Sequence, residues 1–357
     1  MAVVAAAHVS LPEEQVGAAA WYGPDMAART DWIVSLSDDD LAEVEAATAP
    51  LAAREADIAR ITRADFRLPG LGPKLGRALD ELLHGRGFVL LRGLPVERWS
   101  MREAATAFFG IGAWLGNARS QNAKGHVLGH VKDMGLSSRD PNVRIYQTSE
   151  RQTYHTDSCD VVGLLCLKTA RRGGLSTLVS STTIFNEMRR RRPDLLALLF
   201  QPVATDRRGE VPAGMKPYFE IPVFNWHAGH LTAIYQRQYI DSAQRLAGAP
   251  RLASGQVAAL DMFDALANDP ALNLHMAFMP GDMQFVHNHT LLHDRTGFED
   301  WDESERRRHL LRLWLACPGA RPLPAVFAQR YGKVDIGDRG GIIVPGTTAL
   351  NAPLEAV

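Results

Sequence analysis

The spacing of apolar residues changes part-way along this chain, and the change separates two kinds of structure. Early on the spacing is helical. Ser37 is placed to cap a helix whose first turn is Asp38-Asp39-Asp40. The following LAEVEAATAPLAAREADIARI repeats apolar residues every three or four positions, with a break expected at Pro50. GPKLGRALDELLHGRG predicts a second amphipathic helix, stopped by Gly85 and Gly87. The apolar run from Phe88 to Leu94 predicts a buried strand, and residues 101–115 predict a further helix. Beyond residue 125 the rhythm shortens. HVLGHV, VRIYQT, VVGLLCLK, LSTLVSS, LTAIYQ, MQFVHN and LLRLWLA are separated by glycine, proline and polar turns, which reads as a β body. One clear helix, TTIFNEMRRRRPDLLALLF, and another near VAALDMFDALAND interrupt it. The Ala-rich first 30 residues predict little order, and there is no internal repeat or low-complexity tract.

Composition narrows the class. Apolar residues make up 46% of the 357 positions and charged residues 22%, as in soluble globular proteins, and the length suffices for one large β-rich domain. A formal net charge of −1 gives no electrostatic reason to expect nucleic acid or an anionic membrane as partner. No apolar run is long enough to span a bilayer, and the opening MAVVAAAHVSLPEEQ lacks the basic region of a secretory signal. Cys159, Cys166 and Cys317 are scattered without C-x-x-C spacing, which argues for a reducing, cytoplasmic setting and against a disulfide framework.

The candidate chemistry centres on Tyr154-His155-Thr156-Asp157 and, far downstream, Leu292-His293-Asp294-Arg295-Thr296. On an extended strand His155 and Asp157 share a face. With His293 from a distant strand they would make two histidines and one carboxylate, the facial set of non-heme Fe(II) oxygenases, which leaves three metal positions open. Taken alone, H-x-D is a short pattern whose ordinary fate is a hydrogen-bonded strand or turn. The other candidates read more plainly. His287 and His289 alternate on one face and suit supporting or packing roles; Tyr154 suits a wall, and Arg295 an ion-pair partner. His126 and His130 lack the glutamate of H-E-x-x-H, so a zinc-hydrolase pattern is absent.

Five segments fall in a telling order: GRGFVLLRGLP, YHTD, Arg172-Gly173-Gly174-Leu175-Ser176, the His293 segment, and Arg308-His309-Leu310-Leu311-Arg312-Leu313-Trp314. Over roughly residues 60–320 this set resembles the taurine dioxygenase/TfdA family of Fe(II)- and 2-oxoglutarate-dependent dioxygenases, within the clavaminate synthase-like fold. The resemblance implies a mainly β protein with flanking α-helices: a double-stranded β-helix (jelly roll) with a helical N-terminal segment and lid insertions. It divides the chain into an N-terminal extension (1–60), the jelly-roll domain (61–325) and a C-terminal tail (326–357). It makes His155, Asp157 and His293 the iron ligands, and gives the distal carboxylate of 2-oxoglutarate to Arg308. The guanidinium fork of that arginine suits a carboxylate, although Arg306-Arg307-Arg308 also reads as a solvated run. Ser176 stands where the family commonly has a threonine hydroxyl, and the glycine pair before it could equally be a strand turn. No catalytic group is implied beyond the metal centre. With O2 as co-substrate, such an enzyme would oxidise an unactivated C–H bond and release succinate and CO2. Since Asp157 is present where related halogenases have glycine or alanine, hydroxylation is favoured over halogenation.

For the substrate, residues 205–240 are expected to supply lid and pocket. Phe224 and Arg237 are the candidates there, with Arg312 sharing the strand face of Arg308, and Gln121, Asn122 and Gln147 adding polar contacts. Phe224 would serve equally well as core. The two arginines favour a small anionic or amino-acid-like molecule. A metal-dependent hydrolase or isomerase, or a non-catalytic ligand-binding protein on the same barrel, would use the triad without Arg308 and Ser176. A homo-oligomer is left open.

Overall fold

The computed structural model describes residues 11–137, 143–347 and 349–356. Two sheets face each other. The larger runs, in spatial order, Ile33–Ser35, Phe88–Arg92, Met283–His287, Val161–Lys168, His309–Ala316 and Asn117–Ala118, with Gly129–Val131 also paired to His309–Ala316. The smaller runs Asn273–Met276, Ser176–Ser180, Leu291–Arg295 and Gln152–His155. Along the chain, consecutive strands from Gln152 onward mostly alternate between the two sheets. That alternation is the double-stranded β-helix.

One strand shows how the sequence builds it. In His309–Ala316 alternate side chains point to opposite faces. Leu311, Leu313 and Leu315 enter the core shared with the helices Asp38–Ala53, Leu71–Leu83 and Met101–Leu115, which cover the outside of the larger sheet. Leu310, Arg312 and Trp314 project the other way, between the sheets, where Arg312 lies beside Trp314 and Leu310 packs with Val131 and Cys166. The helices Ser181–Arg191, Pro193–Leu198 and Ser254–Ala267 cover the smaller sheet through Phe185, Leu196 and Phe263. Two hairpins, Pro202–Asp206 with Tyr218–Pro222 and Phe224–His227 with His230–Ala233, form the insertion over the open end.

Several local expectations change. The helix Asp38–Ala53 carries on through Pro50, because a proline one turn from the end forfeits a single N–H bond while Leu51 still reaches the core. Pro193 does divide TTIFNEMRRRRPDLLALLF, into two helices. VRIYQT forms a 3-10 turn, Ile145–Gln147, instead of a strand; its polar groups satisfy one another, with Gln147 Oε1 accepting from the Arg144 amide and Thr148 Oγ1 donating to the Ile145 carbonyl. Residues 11–30 are anchored: Trp21 is buried with its indole N–H on the Arg86 carbonyl, and the turn of helix Gly23–Ala27 lies so close to Asn273 that only glycine fits at 23. The rest of the Ala-rich start, residues 1–10, lies outside the described residues.

Candidate metal centre and two adjoining cavities

His155 and His293 sit directly opposite each other on paired antiparallel strands, a register that brings side chains on one face into contact. Their rings are 4.1 Å apart, and Asp157 Oδ1 and Oδ2 lie 3.9 Å and 3.7 Å from His155 Nε2 and His293 Nε2. One ligand atom from each residue falls within 4.8 Å of the others, the only such group of three among the described residues.

The strand ends at His155, so Asp157 is not placed by strand alternation. Two groups from elsewhere hold it: Asn288 Oδ1 accepts from its amide N–H at 2.9 Å, and Trp314 Nε1 donates to its Oδ2 at 2.8 Å. His155 Nδ1 lies 2.8 Å from the Thr153 carbonyl, which fixes a proton there and leaves Nε2 as the ligand atom. Burial alone would raise the Asp157 carboxyl; Arg312, the two histidines and the Trp314 hydrogen bond outweigh it and hold the group below the usual range. A buried carboxylate kept ionised between two imidazoles, with its other oxygen contacts directed, is a donor set that fits a divalent metal.

Two cavities meet at this cluster and share Gln152, His155 and Arg312 as a wall. The first is also lined by His293, Ser176, Arg295 and Arg308. Arg308 is 4% exposed, no ion pair among the described residues includes it, and its Nη1 has no partner. Burial pushes its pKa down to about 10, with Cys166 and Asp300 compensating only in part. An enclosed cation without a counter-charge is costly. Gly174 makes the room: at φ +68° it has no side chain, and a Cβ there would come 2.9 Å from Arg308 Nε. The glycine pair is therefore more than a turn. Ser176 Oγ donates to Gln284 Oε1 at 3.0 Å and lines the same cavity. Arg295 is not held as an ion-pair partner; it donates to the carbonyls of Thr148 and Glu150, while Asp294 pairs with Arg151.

The second cavity opens between the sheets and the insertion. Gln121, Tyr146, Thr156, Phe219, Tyr235 and Arg330 are among its walls. Gln121 faces it and braces Arg312, accepting from Nε at 2.7 Å. Two expectations fail here. Phe224 is fully buried against Phe185, Phe200 and Phe263, so it is core. Arg237 is occupied by Asp241, Asp261 and Asp264 on the outside of the insertion. Gln147, with Asn122, lines a smaller neighbouring recess. His287 and His289 are buried supports, on Thr290 Oγ1 and Asp160 Oδ1. Trp314, Gln152, Arg144 and Arg330 were missed. An indole two residues past Arg312 on the same face was a readable signal for Trp314; nothing local marks the others.

The protein-family description "Taurine catabolism dioxygenase TauD, TfdA family" matches residues 47–314. The chain belongs to this family. Among curated relatives it is 30% identical to FR-33289 synthase of Streptomyces rubellomurinus, over 90% of this chain and 96% of that protein. It is 33% identical to the taurine hydroxylase-like protein SAT17 of Stachybotrys chartarum, over 82% and 77% respectively. In fold it is similar to asparagine oxygenase, solved with Fe(II), 3-hydroxyasparagine and succinate (TM-score 0.63, 17% identity, 80% of this chain and 93% of that one). The non-heme iron oxygenase OrfP, solved with Fe and α-ketoglutaric acid, gives a TM-score of 0.61 at 16% identity, over 79% and 93%. No helix among the described residues is long and apolar enough to cross a membrane.

Proposed function

We propose that this TauD/TfdA family member is an Fe(II)- and 2-oxoglutarate-dependent dioxygenase that hydroxylates a small anionic or amino-acid-like substrate, releasing succinate and CO2. The observation that carries the reading is Arg308, a buried, unpaired guanidinium in a cavity walled by His155 and His293. The metal centre would be held by His155, Asp157 and His293. When bound, iron with 2-oxoglutarate and O2 supplies the oxidising power for an unactivated C–H bond.

The chain's own residues position and shield. Arg308 receives the distal carboxylate, with Ser176 Oγ beside it, and a carboxylate there relieves the stranded charge. Trp314 and Asn288 keep Asp157 oriented, and Arg312, foremost, keeps it ionised. Gln121 fixes Arg312 at the boundary of both cavities, where its charge faces substrate. Phe219, Ile221 and Ile234 give the second cavity an apolar lining that limits water around the reacting bond. Thr156 and Tyr235 exchange main-chain and hydroxyl hydrogen bonds, tying the insertion to the ligand strand. Asparagine oxygenase and OrfP, each solved with hydroxylated amino acids, support the hydroxylation reading. Three free, buried cysteines suit a cytoplasmic setting. An anaerobic titration of the Fe(II)-loaded protein with 2-oxoglutarate tests the assignment: a weak visible charge-transfer band is expected, and metal binding without the band would move the hydrolase reading forward.

A further inference from the structure

Asp157 lies beyond the end of its strand, so the turn Asp157-Ser158-Cys159-Asp160 sets where its carboxylate points. Asn288 clamps one side of that turn. Its Oδ1 accepts from the Asp157 amide at 2.9 Å, its amide donates to the Asp160 carbonyl at 2.9 Å, and its Nδ2 donates to Cys159 Sγ at 3.2 Å. The tail clamps the other side. Arg339 and Asp160 are both fully buried, and Arg339 Nε and Nη2 each lie 2.8 Å from Asp160 Oδ1. Backbone carbonyls take up the rest of the guanidinium: Arg321 accepts from Nη2 at 2.8 Å and Val334 from Nη1 at 3.3 Å. Asp160 Oδ2 accepts from the Cys317 amide at 3.0 Å, and His289 Nε2 lies 2.9 Å from Oδ1. Nearer the ligand, Arg330 Nε donates to Ser158 Oγ at 2.7 Å and the Gly341 amide to the Ser158 carbonyl at 2.8 Å. Gly340 packs so tightly there that a Cβ would stand 2.6 Å from the Ser158 carbonyl oxygen. Arg330, Arg339, Gly340 and Gly341 all stand beyond 47–314, the residues that match the family.

We propose that Arg339, with Arg330 beside it, is a positioning residue for Asp157, acting through the Asp157–Asp160 turn and making the tail part of the metal centre. The inference rests on the reading of His155, Asp157 and His293 as metal ligands, and on neither co-substrate nor substrate. Groups that orient a ligand from behind set metal affinity nearly as strongly as the ligand itself. Two buried charges give up water to meet, so such a pair adds less to net stability than its attraction suggests. Its fixed geometry is what reaches the turn. Ile342, directly after Gly341, walls the second cavity together with Ser158 and Arg330, so the same stretch of tail borders both metal and substrate.

The test is metal affinity of the full chain, by anaerobic titration with Fe(II) and with Co(II), whose visible absorption follows ligand geometry. Arg339→Gln should weaken both metals by about tenfold or more and alter the Co(II) absorption, and Arg339→Lys should recover part of the loss. Arg92→Gln is the control: it breaks another pair with a buried aspartate, Asp282, at the opposite end of strand Met283–His287 from Asn288. It should lower the thermal midpoint while leaving metal affinity and the Co(II) absorption unchanged. Should Arg339→Gln lose its native circular dichroism, Ser158→Ala decides. That variant removes only the hydroxyl acceptor of Arg330 and should weaken metal binding by about threefold or more. A folded Arg339→Gln with unaltered metal affinity and Co(II) absorption overturns the proposal, whatever its thermal midpoint; where that chain is unfolded, the same result from Ser158→Ala overturns it. An unsubstituted chain that binds neither metal overturns the metal-centre reading first, and this inference with it.

Discussion

The cavity around Arg308 and the pocket around Arg330 share a wall, yet they are made differently. The first is lined almost wholly by strand residues: Gln152 and His155, Leu164, Ser176, His293 to Arg295, Leu310 and Arg312. Ladder register fixes where each of these points. The second draws on the turn at Ile145–Gln147, the insertion hairpins and the tail, through Arg144, Glu210, Tyr239 and Arg330. There the geometry depends on loops that are held by long-range contacts, such as Gln329 on Glu220 and the buried ion pair of Arg339 with Asp160. A site for an invariant co-substrate can sit on the rigid frame; a site for a particular substrate sits on the connections, which change without disturbing the sheets.

The sharpest challenge to this contrast is at the metal centre where the two cavities meet. Asp157→Ala or His293→Ala should abolish iron loading and cut succinate formation by roughly a thousandfold or more, since several kcal/mol of metal assistance disappear. Iron content and single-turnover assays would report it. Next comes Arg308→Ala, which should weaken 2-oxoglutarate binding by about 3–5 kcal/mol while iron loading stays unchanged; loss of both would mean the cavity and the metal centre are not independent. Trp314→Phe removes the 2.8 Å hydrogen bond to Asp157 and should lower iron affinity by about 10–100-fold without unfolding the protein.

Acidification probes the buried histidines, among them the pair His130 and His309. His309 Nε2 lies 2.8 Å from His130 Nδ1, and His130 Nε2 lies 2.9 Å from the Pro353 carbonyl. Burial, reinforced by His130, pushes His309 from 6.5 down to about 3. Its folded value lies below the unfolded one, so this stability is complete above about pH 6.5 and is lost as pH falls toward 3. At pH 5 the loss from His309 should reach about 2 kcal/mol, read from denaturant midpoints, and His309→Gln should make the dependence shallower. The smallest effect expected is Ser176→Ala, about 0.5–1.5 kcal/mol in 2-oxoglutarate affinity, because Ser176 offers one neutral hydrogen bond.

The sequence was most legible where structure is periodic. LLRLWL could be read as a strand with Arg312 on the face opposite Leu311, Leu313 and Leu315, and H-x-D with a distant histidine could be read as a ligand set. Phe224 and Arg237 show the opposite case. Aromatic and basic residues in the insertion carry no local mark that separates core or surface ion pair from pocket, and Phe185, Phe263 and Asp264 decided the matter from other elements.

By itself, then, the chain's pattern determined most of the sheet strands and their inward faces, because side-chain direction in a strand follows from position alone, while the ordered motifs carried the resemblance to the dioxygenase family. Only the tertiary structure decided that Asp157 is steered by Trp314 and Asn288, that Gly174 clears space for Arg308, and that Arg330 returns from the tail to the pocket. Those placements join residues more than a hundred positions apart, and no local spacing rule reaches that far.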